Sequence, residues 1–205
     1  MLAVLVIAGI GWMWYGASKP LTGEVVADLG REHVPPGTKV DYNSNPPTSG
    51  NHYADWVKKG VYSAVKEDGY LIHSLEHGYI IISYNCEAHP QSLKLVPQAL
   101  AHTGNDEATD SASSPQAPSA ESTPSATISG GDWELAECKE LVAKLAGVYK
   151  KKGEDRLIVV PRPSLDTRIA LTAWTRIDKL KDFDEERITK FIDAFLNQGP
   201  EKTRE

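Results

Sequence analysis

Residues 79–84 read YIIISY, a dense run of β-branched and aromatic side chains that predicts a strand. Before it lies DGYLIHSLEHG (68–78), and further upstream GVYSAV (60–65) alternates as a short strand. Downstream, Trp133 to Lys152 carries Leu135, Cys138, Leu141, Val142, Leu145 and Val148 at helical spacing, with Asp132 as expected N-cap and Gly153 as stop. RLIVV (156–160) predicts a strand ended by Pro161 and Pro163. RIALTAW (168–174) predicts another, with Ile169, Leu171 and Trp174 on its buried face and Arg176 to Leu180 continuing it. A last helix spans Asp184 to Asn197, capped at Asp182 or Asp184, with Ile188, Phe191, Ile192 and Phe195 on one side. A turn-rich start followed by strands, helix, strands and helix predicts an α+β fold: a single domain with a mixed or antiparallel sheet packed by two main helices.

That start is VPPGTKVDYNSNPPTSGNHYADW (34–56), whose Pro-Pro-Gly and Pro-Pro-Thr-Ser-Gly turns exclude helix. It is either a surface wrapping or a shaped loop around a site.

Outside these elements the chain changes character. MLAVLVIAGIGWMWYG (1–16) is apolar, carries no charge before Lys19 and ends in Trp12, Trp14 and Tyr15, aromatics that favour a membrane interface. We read residues 1–18 as one transmembrane helix preceding the domain, with a cleaved signal peptide as the rival. Its missing basic start suggests a natural N-terminus upstream of Met1, which would put the bulk of the chain outside the cytoplasm. Residues 19–33 read as a tether. Residues 34–102 and 132–198 form the domain, and 103–131, rich in Ser, Thr and Pro with no Lys or Arg, read as a disordered insertion. With a formal charge of −6 and a pI near 5.5, the 205-residue chain is not expected to bind nucleic acid; the expected partner is the membrane, and protein partners are open.

Four of the six histidines lie between His33 and His77. His73-Ser74-Leu75-Glu76-His77 spaces two imidazoles by four residues, which puts them on one side of a helix or of a strand. The string is also H-x-x-E-H, the inverted zinc-peptidase signature, in which Glu76 would be the general base of a metal-dependent hydrolase. Such an enzyme needs a further carboxylate ligand, for which Glu137 or Glu140 are guesses. His52, after the PPTSG turn, offers a third nitrogen, so that His52, His73 and His77 make a candidate site for a zinc or copper ion. The same histidines could instead brace loops, His73 pairing with Glu76 or Asp68.

The PPTSG-N-H segment (Pro46 to His52), the H-x-LEHG segment (His73 to Gly78), the strand after it and the apolar N-terminus together resemble the bacterial family catalogued as domain of unknown function 3105. The resemblance runs from about His33 to Phe195, apart from the insertion. It implies a membrane-tethered, extracytoplasmic domain and no established activity.

Two cysteines remain. Cys86 closes the YIIISYN stretch and Cys138 lies in the first turns of the next helix, so removing the insertion brings them close. Outside the cytoplasm they are expected to pair as a disulfide, either a staple across the base of the insertion or a redox pair. The order strand, cysteine, helix, strand, two strands, helix resembles that of thioredoxin-like thiol–disulfide proteins, although no C-x-x-C is present. The functional readings are therefore a metal-binding domain, a hydrolase, a thiol–disulfide protein, or a non-catalytic envelope interaction module.

Overall fold

A computed structural model describes residues 22–88 and 131–203. The elements in chain order are β1 (Glu24–Val25), β2 (Gly60–Val61), α1 (Asp68–Glu76), β3 (Ile80–Tyr84), α2 (Ala136–Lys151), β4 (Leu157–Pro161), β5 (Ile169–Ala173), β6 (Arg176–Leu180) and α3 (Glu185–Phe195). The strands form one six-stranded sheet in the order β1-β6-β5-β3-β4-β2. β3 runs parallel to β4, and β4 parallel to β2, whereas β5 is antiparallel to both β3 and β6, and β1 to β6. The sheet is mixed and the class is α+β, as the element order predicts.

The register follows from the pleat. Alternate side chains Ile80, Ile82 and Tyr84 of β3, with Leu157 and Val159 of β4 and Ile169, Leu171 and Ala173 of β5, face α2 and α3. There they meet Leu141, Leu145 and Val148 of α2 and Ile188, Phe191, Ile192 and Phe195 of α3. The other face, with Ile81, Ile158 and Val160, packs on Leu71 and Leu75 of α1, and Trp174 lies against this second cluster. Trp174 therefore does not share a face with Ile169 and Leu171: strand period two pairs those residues with Ala173, and Trp174 points the other way. β3 has helices on both sides, so every one of its residues is buried and its sequence shows no polar alternation.

Several boundaries differ from expectation. The helix expected from Trp133 starts at Ala136 behind Leu135, and residues Gly131–Glu134 form a 3₁₀ turn instead, so Asp132 is not its cap. Asp184 is the N-cap of α3, its carboxylate accepting from the Arg187 N–H at 3.0 Å. β2 retains only Gly60–Val61 of the expected strand, pairing with Ile158 and Val159. α1 is a third helix, held at its start by Arg162, whose guanidinium forks onto the Asp68 carboxylate at 2.5 and 3.0 Å and donates to Asn45 at 2.7 Å.

The order strand, cysteine, helix, strand, two strands, helix is present as β3, Cys86, α2, β4, β5–β6, α3. Cys86 and Cys138 are joined by a disulfide with a Cα–Cα distance of 5.4 Å, and both are buried. Beside them Trp133 Nε1 donates to Glu87 Oε1 at 2.6 Å. No helix among the described residues is long and apolar enough to cross a membrane. The expected transmembrane helix at 1–18 lies outside the described residues, as does the insertion at 103–131 except Gly131.

Candidate metal centre

The histidines are gathered by backbone pairing. The segment after β1 runs parallel to the PPTSG-N-H segment: the Gly50 N–H donates to the Gly30 carbonyl at 2.9 Å, His52 to Glu32 at 3.0 Å, and Val34 to His52 at 2.8 Å. A parallel bridge sets His33 directly opposite His52, which brings their rings to 5.0 Å. Ser49 is buried and its hydroxyl accepts from the Leu29 N–H at 3.0 Å, locking the two segments together. The turn-rich stretch is thus a shaped loop whose inner side carries Thr48, Ser49, His52 and Tyr53 into the interior.

α1 supplies the opposite wall. His73 and Glu76 stand in its last turns, and His77 is its C-cap. Gly78 follows at φ +82°, a left-handed conformation suited to glycine, and its N–H donates to the Leu75 carbonyl at 2.9 Å, which stops the helix. Gly69 lets the helix approach: a Cβ there would lie 2.6 Å from the Tyr53 ring.

Donors and acceptors can be assigned from the partners. His52 Nδ1 lies 2.8 Å from the Gly50 carbonyl and His73 Nδ1 lies 2.7 Å from the Tyr53 carbonyl. A carbonyl only accepts, so both rings carry their proton on Nδ1 and turn Nε2 inward. His52 Nε2 meets Glu76 Oε2 at 2.9 Å, a contact that without a cation needs one shared proton. The other Glu76 oxygen accepts from Arg31 at 3.4 Å. His73 Nε2 lies 3.0 Å from His77 Nε2, and His77 Nε2 lies 3.7 Å from Glu201 Oε2. Burial, reinforced by His77, His52 and His33 nearby, pushes the His73 pKa below its ordinary value, against the opposing hydrogen bond to Tyr53. His73 is therefore neutral near pH 7, the form that ligates metal.

Among the described residues two groups could hold a metal ion: His33, His52, His73 and Glu76, and His73, His77 and Glu201, each with its ligand atoms within 4.8 Å of one another. The expected trio is thus divided, since His52 and His77 fall in different groups joined by His73. Glu76, read in the sequence as a base, sits among the ligand atoms. Glu137 and Glu140 belong to neither group, and Glu140 pairs with Lys144 at 2.7 Å on α2. His33 and Glu201 were missed as donors. His33 was visible as one of the clustered histidines, but its place comes from the parallel bridge; nothing local marks Glu201, which arrives on the segment after α3. Two rings wall the site: Trp56 packs on His73 and His77 at 5.4 and 4.8 Å, and Trp174 faces His52 at 6.4 Å.

The lowered His73 pKa has a consequence for stability. Below about pH 6.5 an unfolded histidine takes up a proton that folded His73 resists, so the metal-free fold loses stability as pH falls from there, by at most about 1.4 kcal/mol per pH unit from this residue. Urea unfolding with chelator present, at pH 7.5 and 5.5, should show the loss, and His73→Gln should reduce it. An equal loss in wild type and variant would contradict the assignment.

The family described as "Protein of unknown function (DUF3105)" matches residues 33–127 and 133–205. No curated protein and no solved structure matches the chain.

Proposed function

The chain belongs to the DUF3105 family, and from that premise we propose that its domain is a binding module for a divalent transition-metal ion, presented outside the cytoplasm from an N-terminal membrane anchor. One observation carries the metal reading. His52 and His73 each commit Nδ1 to a backbone carbonyl, the orienting contact that metal-ligating histidines make, and so offer Nε2 to the group shared with His33 and Glu76. Three imidazoles and one carboxylate suit zinc or copper, and four protein donors fill a tetrahedral shell. The anchor reading rests on the apolar run Met1–Gly16, and the disulfide suits an oxidising compartment.

This reading is non-catalytic. With Glu76 as a ligand the hydrolase alternative loses its general base, because the carboxylate is already engaged by His52 and Arg31. The thiol–disulfide alternative draws support from Cys86 beyond β3 and Cys138 in the first turn of α2. However, exchange requires a thiolate to reach a sulfur, and the two cysteines are only 1% and 4% exposed. We therefore assign the disulfide as a staple. An envelope interaction module is what remains if no ion binds.

The test is direct. The chain, stripped with chelator and incubated with Zn²⁺ or Cu²⁺, should retain metal after desalting, and His52→Gln should lower affinity by about a hundredfold or more. Circular dichroism would establish that the variant is folded. A wild-type chain that retains neither ion removes the proposal.

A further inference from the structure

The two groups of donors meet at one atom. With Nδ1 held by the Tyr53 carbonyl, His73 keeps a single lone pair, on the Nε2 that stands 3.0 Å from His77 Nε2. Both groups need that lone pair: one to join His33, His52 and Glu76, the other to join His77 and Glu201. Building on the metal-binding reading above, we propose that the groups are alternative seats for one ion, handed across His73 between them, so that the domain transfers a metal ion rather than storing it.

Charge supports single occupancy. Two dications would bring four positive charges against the carboxylates of Glu76 and Glu201, and Glu76 already faces the Arg31 guanidinium. Exposure supports passage. The string of donors begins at exposed His33 and ends at Glu201, whose side chain is 48% exposed, while His52, His73, Glu76 and His77 between them are buried. Glu201 is also fixed in reach. Its own N–H donates to the Glu76 carbonyl at 3.0 Å, so its carboxylate stays beside His77 while still meeting solvent. Trp56, packed on both His73 and His77, walls the crossing point. An ion arriving from one side would exchange one ligand at a time, with His73 common to both seats, and never be released as a bare ion inside the protein.

The experiment uses the whole chain, stripped of metal, titrated with Zn²⁺ against a chromophoric chelator, then challenged with excess chelator to time release. We expect one equivalent in wild type and in Glu201→Gln, loss of that equivalent in His73→Gln, and release from Glu201→Gln slower by about tenfold. Two equivalents in wild type, or an ion retained by His73→Gln, would overturn the shared seat. Unchanged or faster release from Glu201→Gln would overturn the handover. Each of these leaves metal binding itself standing, whereas wild-type chain that binds no Zn²⁺ removes both readings at once.

Discussion

Replacing Cys86 and Cys138 together by alanine should lower the stability of the domain by about 4 kcal/mol, the chain-entropy value for a crosslink over a sequence separation of 52. The bond acts mainly on the unfolded chain. With it, the end of β3 and the start of α2 remain neighbours after everything else has come apart; without it, folding must bring them together across the whole intervening segment. Beside it, among the described residues, the Trp133–Glu87 hydrogen bond is a single exposed contact of much smaller worth. In a domain of this size the loss corresponds to a melting temperature lower by roughly 10 °C. Thermal melts of oxidised wild type, reduced wild type and the double variant would measure it, with the last two expected to coincide. Superposition of oxidised and reduced melts would show that the bond contributes nothing and would reopen a redox role for the pair.

The second large effect is expected at Gly199. A Cβ there would stand 2.1 Å from the Glu76 carbonyl oxygen and 2.3 Å from the Gly78 nitrogen. Both are backbone atoms, so no rotamer change can relieve the overlap, and the segment after α3 must move away from the end of α1. Movement breaks the Asn197 N–H to Gly78 carbonyl bond of 2.8 Å and the Glu201 N–H to Glu76 carbonyl bond of 3.0 Å. Overpacking together with two lost hydrogen bonds gives about 3 kcal/mol or more for Gly199→Ala. Because the same movement withdraws Glu201 from His77, the variant should also reproduce the slowed Zn²⁺ release of Glu201→Gln, although residue 199 carries no ligand atom. A Gly199→Ala protein that melts and releases metal like wild type would mean that this tail is not docked on α1.

What the sequence discloses depends on how far a residue's neighbours lie along the chain. β3, α2 and α3 are legible because each is marked by its own residues, β3 by the unbroken β-branched and aromatic run YIIISY and the two helices by apolar stripes at helical spacing. α1 is not. It is buried on nearly every side between the sheet and the loop around His52, so it shows no stripe, and its histidines fit a strand as well as a helix. The same limit divides the site. His73, Glu76 and His77 share one short motif and His52 follows a recognisable turn, whereas His33 and Glu201 are delivered by a parallel backbone bridge and by a docked tail. Neither device leaves a mark in nearby sequence, so the reading produced one trio where the fold builds two overlapping groups.

The sheet also ends in stubs. β1 and β2, its two outer strands, are two residues each, and on the inner side of those stubs β6 carries Asp178 inward to a bidentate Arg187 while β4 closes with Pro161, which has no N–H to offer. A second polypeptide trying to extend the array would find a margin too brief, and too interrupted, to template pairing. Neighbouring copies would thus meet little unpaired backbone along either margin of the described sheet.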